Sequence, residues 1–286
     1  MRTCVWVVRS MGLCLLFLVL ANVAHSQDLS LKFKNVKFPG ASGTDAYGIN
    51  NSGLIVGQYY INGVATHGFV LDHGEGTDID DPNGSDTLCR NINSLGDIVG
   101  AYTKPDGNNS GFLFKDDVFT NIAPAALSAA SGINDKGEIV GSEADCDFCQ
   151  QHAFLWKNNQ FHQLDVPGAQ YTGATGINND GVIAIIAPDN NNHFHSYLYR
   201  KGKYTELKVP GAFETFIAGI NNNGDLVLSW DDKQQNTHGA IRHKGKFYTF
   251  DFKKNVQTFG FGINDNNAIV GSYFGTGGSG SFKAKY

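Results

Sequence analysis

Apolar and polar positions alternate along this chain in short runs, each closed by glycine, asparagine or proline. No stretch of about twelve residues carries the 3.6-residue apolar period of a helix, so the pattern predicts strands joined by tight turns throughout. One run recurs six times: "GINNSGLIVGQYY", "NINSLGDIVGAYT", "GINDKGEIVGSEA", "GINNDGVIAIIAP", "GINNNGDLVLSWD" and "GINDNNAIVGSYF". These phrases open at Gly48, Asn91, Gly132, Gly176, Gly219 and Gly262, at steps of 43, 41, 44, 43 and 43 residues. A fixed period in this range marks a solenoid or a propeller.

Each unit divides into four strand candidates. The first ends in Gly-Ile-Asn, the second is typified by "LIVGQYY", and the third by "HGFVLD" and "HAFLWK". The fourth is typified by "QFHQLDVPGA" and "KYTELKVPGA". Asn-x-x-Gly joins the first two: the asparagine side chain can accept from the backbone two residues on, and the glycine supplies a positive φ. These turns lack the alternating acids of a calcium loop.

The chain ends separate propeller from solenoid. The sixth unit stops at its third strand, "GSFKAKY", and the missing fourth-strand sequence stands instead at Leu31 to Ala41, "LKFKNVKFPGA". That permutation serves a ring, which it closes without a free edge. The expected fold is therefore all-β: a six-bladed β-propeller of four-stranded blades, closed by the N-terminal strand pairing with the C-terminal blade. Residues 27–286 would form this single domain.

The units resemble the HAF repeat of bacterial secreted proteins, whose name stands here as His152-Ala153-Phe154; Gly-Ile-Asn-x-x-Gly and Ile-Val-Gly are the strongest shared words. The resemblance covers residues 27–286, although strict His-Ala-Phe occurs once and the other units drift to "HGF", "SGF", "HSY", "HGA" and "GSF". It implies an extracellular repeat protein and transfers no catalytic residue.

Residues 1–26 fit a secretory signal peptide, with Arg2 and Arg9, an apolar core from Met11 to Leu20, and a small-residue site that places cleavage at Ser26-Gln27. The expected product is periplasmic or extracellular, monomeric, and without a transmembrane segment. Against 27 acidic residues stand 22 basic ones, and no basic cluster, which argues against nucleic acid as a partner. Beyond the leader remain Cys89, Cys146 and Cys149, too few for a disulfide framework, though Cys146 and Cys149 can form a local disulfide in an exported chain.

Ring geometry then sorts the candidate chemistry. His67, His152, His195 and His238 open third strands about 10 Å outside the innermost ones, too far apart to share a metal ion, so a structural bond is expected of each. Thr44, Thr87, Ser128, Thr172, Thr215 and Thr258 stand four places before the phrase openings and suggest a repeated hydrogen bond at the strand start. One place before them the units diverge to Tyr47, Arg90, Ser131, Thr175, Ala218 and Phe261. Arg90 there is a candidate anchor for a carboxylate or sugar, unless Asp45 or Asp86 pairs with it.

The loops between second and third strands are polar and differ in every unit, as expected of a recognition face. Within them Asp189, His193 and Asp231 offer an alternative metal set, with solvated loop tips as the plainer reading. No catalytic motif appears. The expectation is a secreted binding module for an extracellular protein or glycan, with Arg90, Tyr47, Asp45 and Phe261 as the ligand-binding residues, no cofactor and no resident metal. The alternatives are a propeller hydrolase or lactonase with an axial site, which the expected scarcity of inner-strand acids other than Asp45 disfavours, and a structural envelope protein.

Overall fold

The computed structural model describes residues 29–63, 66–122, 125–146 and 150–286, and these form a six-bladed β-propeller. Residues 1–28, and with them the expected signal peptide and its expected cleavage site, lie outside the described residues. Blade 1 runs from the axis outward as Gly43–Ile49, Ile55–Tyr60, Thr66–Asp72 and Glu75–Asp78, every neighbour antiparallel. Blades 2 to 5 repeat that order, with inner strands Ser85–Ile92, Leu127–Ile133, Gly173–Ile177 and Glu214–Ile220.

Blade 6 consists of Gln257–Ile263, Ala268–Phe274 and Gly280–Lys285, and its fourth strand is the N-terminal Lys32–Val36. That strand pairs antiparallel with the last one, Lys32 opposite Lys285 and Val36 opposite Ser281. The ring closure expected from the permuted ends is therefore present. The outer strands are shorter than the sequence pattern suggests: in blade 3 pairing ends at Gln163, and "LDVPGA" becomes the crossover to the next inner strand. Pro167 has no N–H for a ladder, and the chain must leave the rim to reach the axis.

Two repeat words explain each other through packing. The third-strand phenylalanines Phe69, Phe112, Phe154 and Phe282 are fully buried. They pair across strands with Gly57, Gly100, Gly141 and Gly271, the last residue of Ile-Val-Gly. A Cβ on any of these glycines would lie 2.7–2.9 Å from that phenylalanine ring. Blade 5 reverses the assignment, setting a buried Leu228 opposite Ala240, so cross-strand volume is kept while its owner changes.

The histidines of the third strands act as expected. His67 bonds Asp80 (2.8 Å), His152 Asp165 (2.5 Å), His238 Asp251 (2.8 Å) and His195 Glu206 (2.7 Å), each tethering a third strand to the outer strand or crossover of its own blade. The strand-start hydroxyls are equally structural. Those of Thr44, Thr87, Thr172, Thr215 and Thr258 accept from the backbone N–H six residues upstream, which pins the crossover to the inner strand. Ser128 accepts from Gly111 instead.

Candidate functional site

The axis is built in layers. At the face bearing the Asn-x-x-Gly turns, the first asparagine of each turn accepts from the N–H groups two and four residues on, as Asn178 does from Asp180 (3.1 Å) and Val182 (3.0 Å). Its Nδ2 then donates to the backbone carbonyl of the next blade's equivalent asparagine. The chain of bonds runs Asn50 to Asn93, Asn134, Asn178, Asn221 and Asn264, and returns to Asn50 at 2.8–3.2 Å. Six amides thus close a hydrogen-bonded circle around the axis.

A second circle lies against it. The N–H of Ser94, Asp135, Asn179, Asn222 and Asp265 each donates to the side-chain oxygen of the following blade's residue, ending on Asn51. The link from Asn51 to Ser94 runs through side chains at 3.2 Å. Within these circles remains a hollow of about 60 Å³.

Next along the axis the repeat glycines pack backbone against backbone. A Cβ on Gly48 would lie 2.9 Å from Asn91 Cα, one on Gly132 2.8 Å from Gly176 Cα, and one on Gly262 3.0 Å from Gly48 Cα. This waist separates the two ends of the channel. At Gly48, Gly132, Gly219 and Gly262 the neighbouring atoms leave less than 3.1 Å for a Cβ, which is why glycine recurs there; blade 2 carries Asn91 at this position and Gly176 has 3.5 Å.

Beyond the waist every inner strand carries a β-bulge, an irregularity that reading the sequence as strands did not anticipate. The unpaired residue is in each case the one before the repeat position: Tyr47, Arg90, Ser131, Thr175, Ala218 and Phe261. A bulge re-aims its side chain, and all six line one cavity of about 400 Å³ on the loop face. The positions where the units diverge are those the backbone turns toward the axis.

The cavity has two sides. Tyr47, Phe216, Phe259 and Phe261 form an aromatic wall, with the Tyr47 and Phe261 rings edge to face at 5.3 Å. Arg90, Ser131 and Thr175 come from the intervening blades. Arg90 is exposed, and its guanidinium makes no ion pair or hydrogen bond with any described residue, neither Asp45 nor Asp86 included. Burial and the nearby Asp45 push the Tyr47 hydroxyl well above the usual range, with Arg90 opposing them, so it stays protonated as a donor.

The structure departs from the expected site set in three places. Asp45 does not line the axial cavity; it faces the seam between blades 6 and 1, where Gln58 Nε2 donates to its Oδ2 at 2.9 Å. Nor is it the lone inner-strand acid, since Asp86 and Glu214 also lie in inner strands. The cavity's own carboxylate is Asp231, at the end of a second strand, which its sequence sets among the loop-face metal candidates rather than at the axis because only inner strands are expected to reach it. Its unit alone ends that phrase with an acid, "SWD", and this was the available signal.

Asp189, His193 and Asp231 do not assemble into a metal site: among the described residues no group of three or more ligating side chains could hold a metal ion. Asp189 Oδ1 is engaged by the N–H groups of Asn191 and His193, and Asp231 Oδ1 by the Thr237 hydroxyl. Cys146 is disulfide-bonded, while its expected partner Cys149 lies outside the described residues. Burial pushes the free Cys89 thiol far up, which makes it inert. No helix among the described residues is long and apolar enough to cross a membrane.

No protein-family model and no curated protein matches the chain. Solved structures do. TolB from Acinetobacter baumannii is similar at TM-score 0.55 and 13% identity over 86% of this chain, which spans 64% of that TolB. A mutant of the Aleuria aurantia lectin in complex with Fucα1-6GlcNAc is similar at TM-score 0.52 and 11% identity, covering 84% of this chain and 91% of the lectin. A gluconolactonase from Xanthomonas campestris is similar at TM-score 0.51 and 9% identity over 89% of both chains. At these identities the likeness is one of fold, and the fold it supports is the propeller.

Proposed function

We propose that this chain is an exported binding module of the HAF-repeat kind, and that its axial cavity on the loop face holds a carboxylate-bearing glycan. The observation that carries the reading is Arg90, an unpaired guanidinium facing a cavity of about 400 Å³ with four aromatic rings in its wall. A guanidinium holds a carboxylate through two parallel N–H bonds. Aromatic faces offer apolar contact at small cost in ordering, which suits the C–H face of a sugar ring. The volume fits one or two sugar units rather than a protein surface. That the lectin of similar fold is described with a bound fucosyl disaccharide supports the class of ligand, and the leader sequence supports export. The hydrolase reading has less behind it: Asp231 is the cavity's carboxylate, and it is already bonded to Thr237.

Binding of wild-type protein to an array of uronic-acid and neutral glycans tests the proposal. Arg90→Ala should weaken the acidic hits about tenfold. Lys136→Ala, at the opposite face, should leave them unchanged. Equal losses from both variants, or a preference for neutral glycans that ignores Arg90, would overturn it.

A further inference from the structure

The seam between blades 6 and 1 opens into its own cavity of about 480 Å³ on the loop face. Its origin is one position. Five residues before the repeat position, blades 2, 5 and 6 carry Asp86, Glu214 and Gln257, and each reaches back to the third strand of the preceding blade. Asp86 accepts from Thr66 N–H at 3.1 Å and Glu214 from Phe194 N–H at 3.3 Å, while Gln257 Oε1 stands 3.5 Å from the Thr237 hydroxyl, whose proton goes to Asp231 at 2.7 Å. In blade 1 this position is Gly43, which has no side chain to cross the seam. The Tyr60 ring lies over it instead: a Cβ there would be 2.1 Å from Tyr60 Cζ. The span that blades 2, 5 and 6 cross with a side chain is left open here.

What lines that span is polar and uncommitted. Lys37, Asn35, Ser272 and Ser279 face the cavity, and their side chains make no hydrogen bond or ion pair with any described residue. Asp45 gives one carboxylate oxygen to Gln58 and keeps the other unpaired. One cation, one anion, an amide and two hydroxyls thus present unpaired donors and acceptors together, with no excess of either charge. At the same cavity stand two exposed rings, Phe274 (63% accessible) and Tyr60 (37%).

We propose that the seam is a second binding site, for a neutral pyranose unit of a glycan, independent of the axial site. Adjacent sugar hydroxyls donate and accept alike and so match a mixed, charge-balanced lining. The C–H face of the ring matches an exposed aromatic side chain. A charged ligand would leave either Lys37 or Asp45 opposed to a like charge.

Saturation-transfer NMR with millimolar methyl glycosides of glucose, galactose, mannose and fucose tests this on the intact protein. At least one glycoside should receive saturation, equally from wild type and from Arg90→Ala. Phe274→Ala should reduce it about fivefold. So should Ser272→Gln, which installs at the seam the residue that blade 1 carries as Gln58; both variants should melt with the parent. Absence of transfer to every glycoside, transfer unchanged in both seam variants, or its loss in Arg90→Ala would each overturn the proposal.

Discussion

The asparagine circle at the turn face makes a quantitative demand on stability. Asn178 is 4% exposed, and no acid follows its turn: Val182 stands where Asp97, Glu138 and Asp225 stand in other blades. Its side chain makes three hydrogen bonds, two accepted within its own turn and one donated to Asn221 O at 3.2 Å. Asn178→Ala removes all three and leaves two turn N–H groups without their acceptor. At about 1 kcal/mol net per bond the loss is about 3 kcal/mol. For a domain of this size that lowers Tm by about 6–12 °C. Asn190→Ala, at an exposed loop residue whose side chain bonds nothing described, should stay within about 1 °C. Differential scanning calorimetry of both variants beside the parent reads the difference. A shift under about 2 °C for Asn178→Ala, or equal shifts for the two variants, would refute the idea that the circle holds the blades together.

Two further perturbations follow from pairings described above. Ala240→Phe overpacks blade 5 against the buried Leu228 and should cost about 1–3 kcal/mol, whereas adding Leu228→Gly should recover at least about 1 kcal/mol by restoring the glycine–phenylalanine arrangement of the other blades; strictly additive losses in urea denaturation would contradict that pairing. Asp232 is held at about 2, below its ordinary 3.8, first by the Asn236 side chain and then by backbone N–H groups. A depressed carboxylate stabilises the fold above its unfolded value and ceases to as pH falls through its folded one. Asp232→Asn should therefore flatten the melting curve between those two values, and an unchanged acid limb in a Tm-versus-pH series would count against the turn.

Much of this architecture could be read from the chain because it is periodic. The interval near 43 residues, the alternating runs and the displaced fourth strand at Leu31 to Ala41 together pointed to a closed ring. The tethering histidines were legible for a geometric reason: third-strand residues are too far from the axis to meet. The six bulges were not legible, because a bulge is a mismatch between two strands and leaves no mark on either one alone. Their consequence was visible all the same, since the bulged position is where the units stop agreeing, and Arg90 stands out there. Asp45 occupies the place that Phe216 and Phe259 hold in blades 5 and 6, where they do line the axial cavity; its carboxylate is turned instead to Gln58 at the seam, a choice of partner that spacing along one strand does not encode. The seam cavity had a signal that passed unread, glycine at Gly43 where three of the other units place an acid or amide.

The most direct test of axial recognition is a crystal structure of the protein soaked with a uronic-acid disaccharide. Binding at the axis predicts density in the cavity beyond the glycine waist, with the sugar carboxylate within about 3 Å of the Arg90 guanidinium and a ring face against Tyr47 or Phe261. An empty axial cavity in a crystal whose ligand sits elsewhere, or a ligand there that turns its carboxylate away from Arg90, would contradict it.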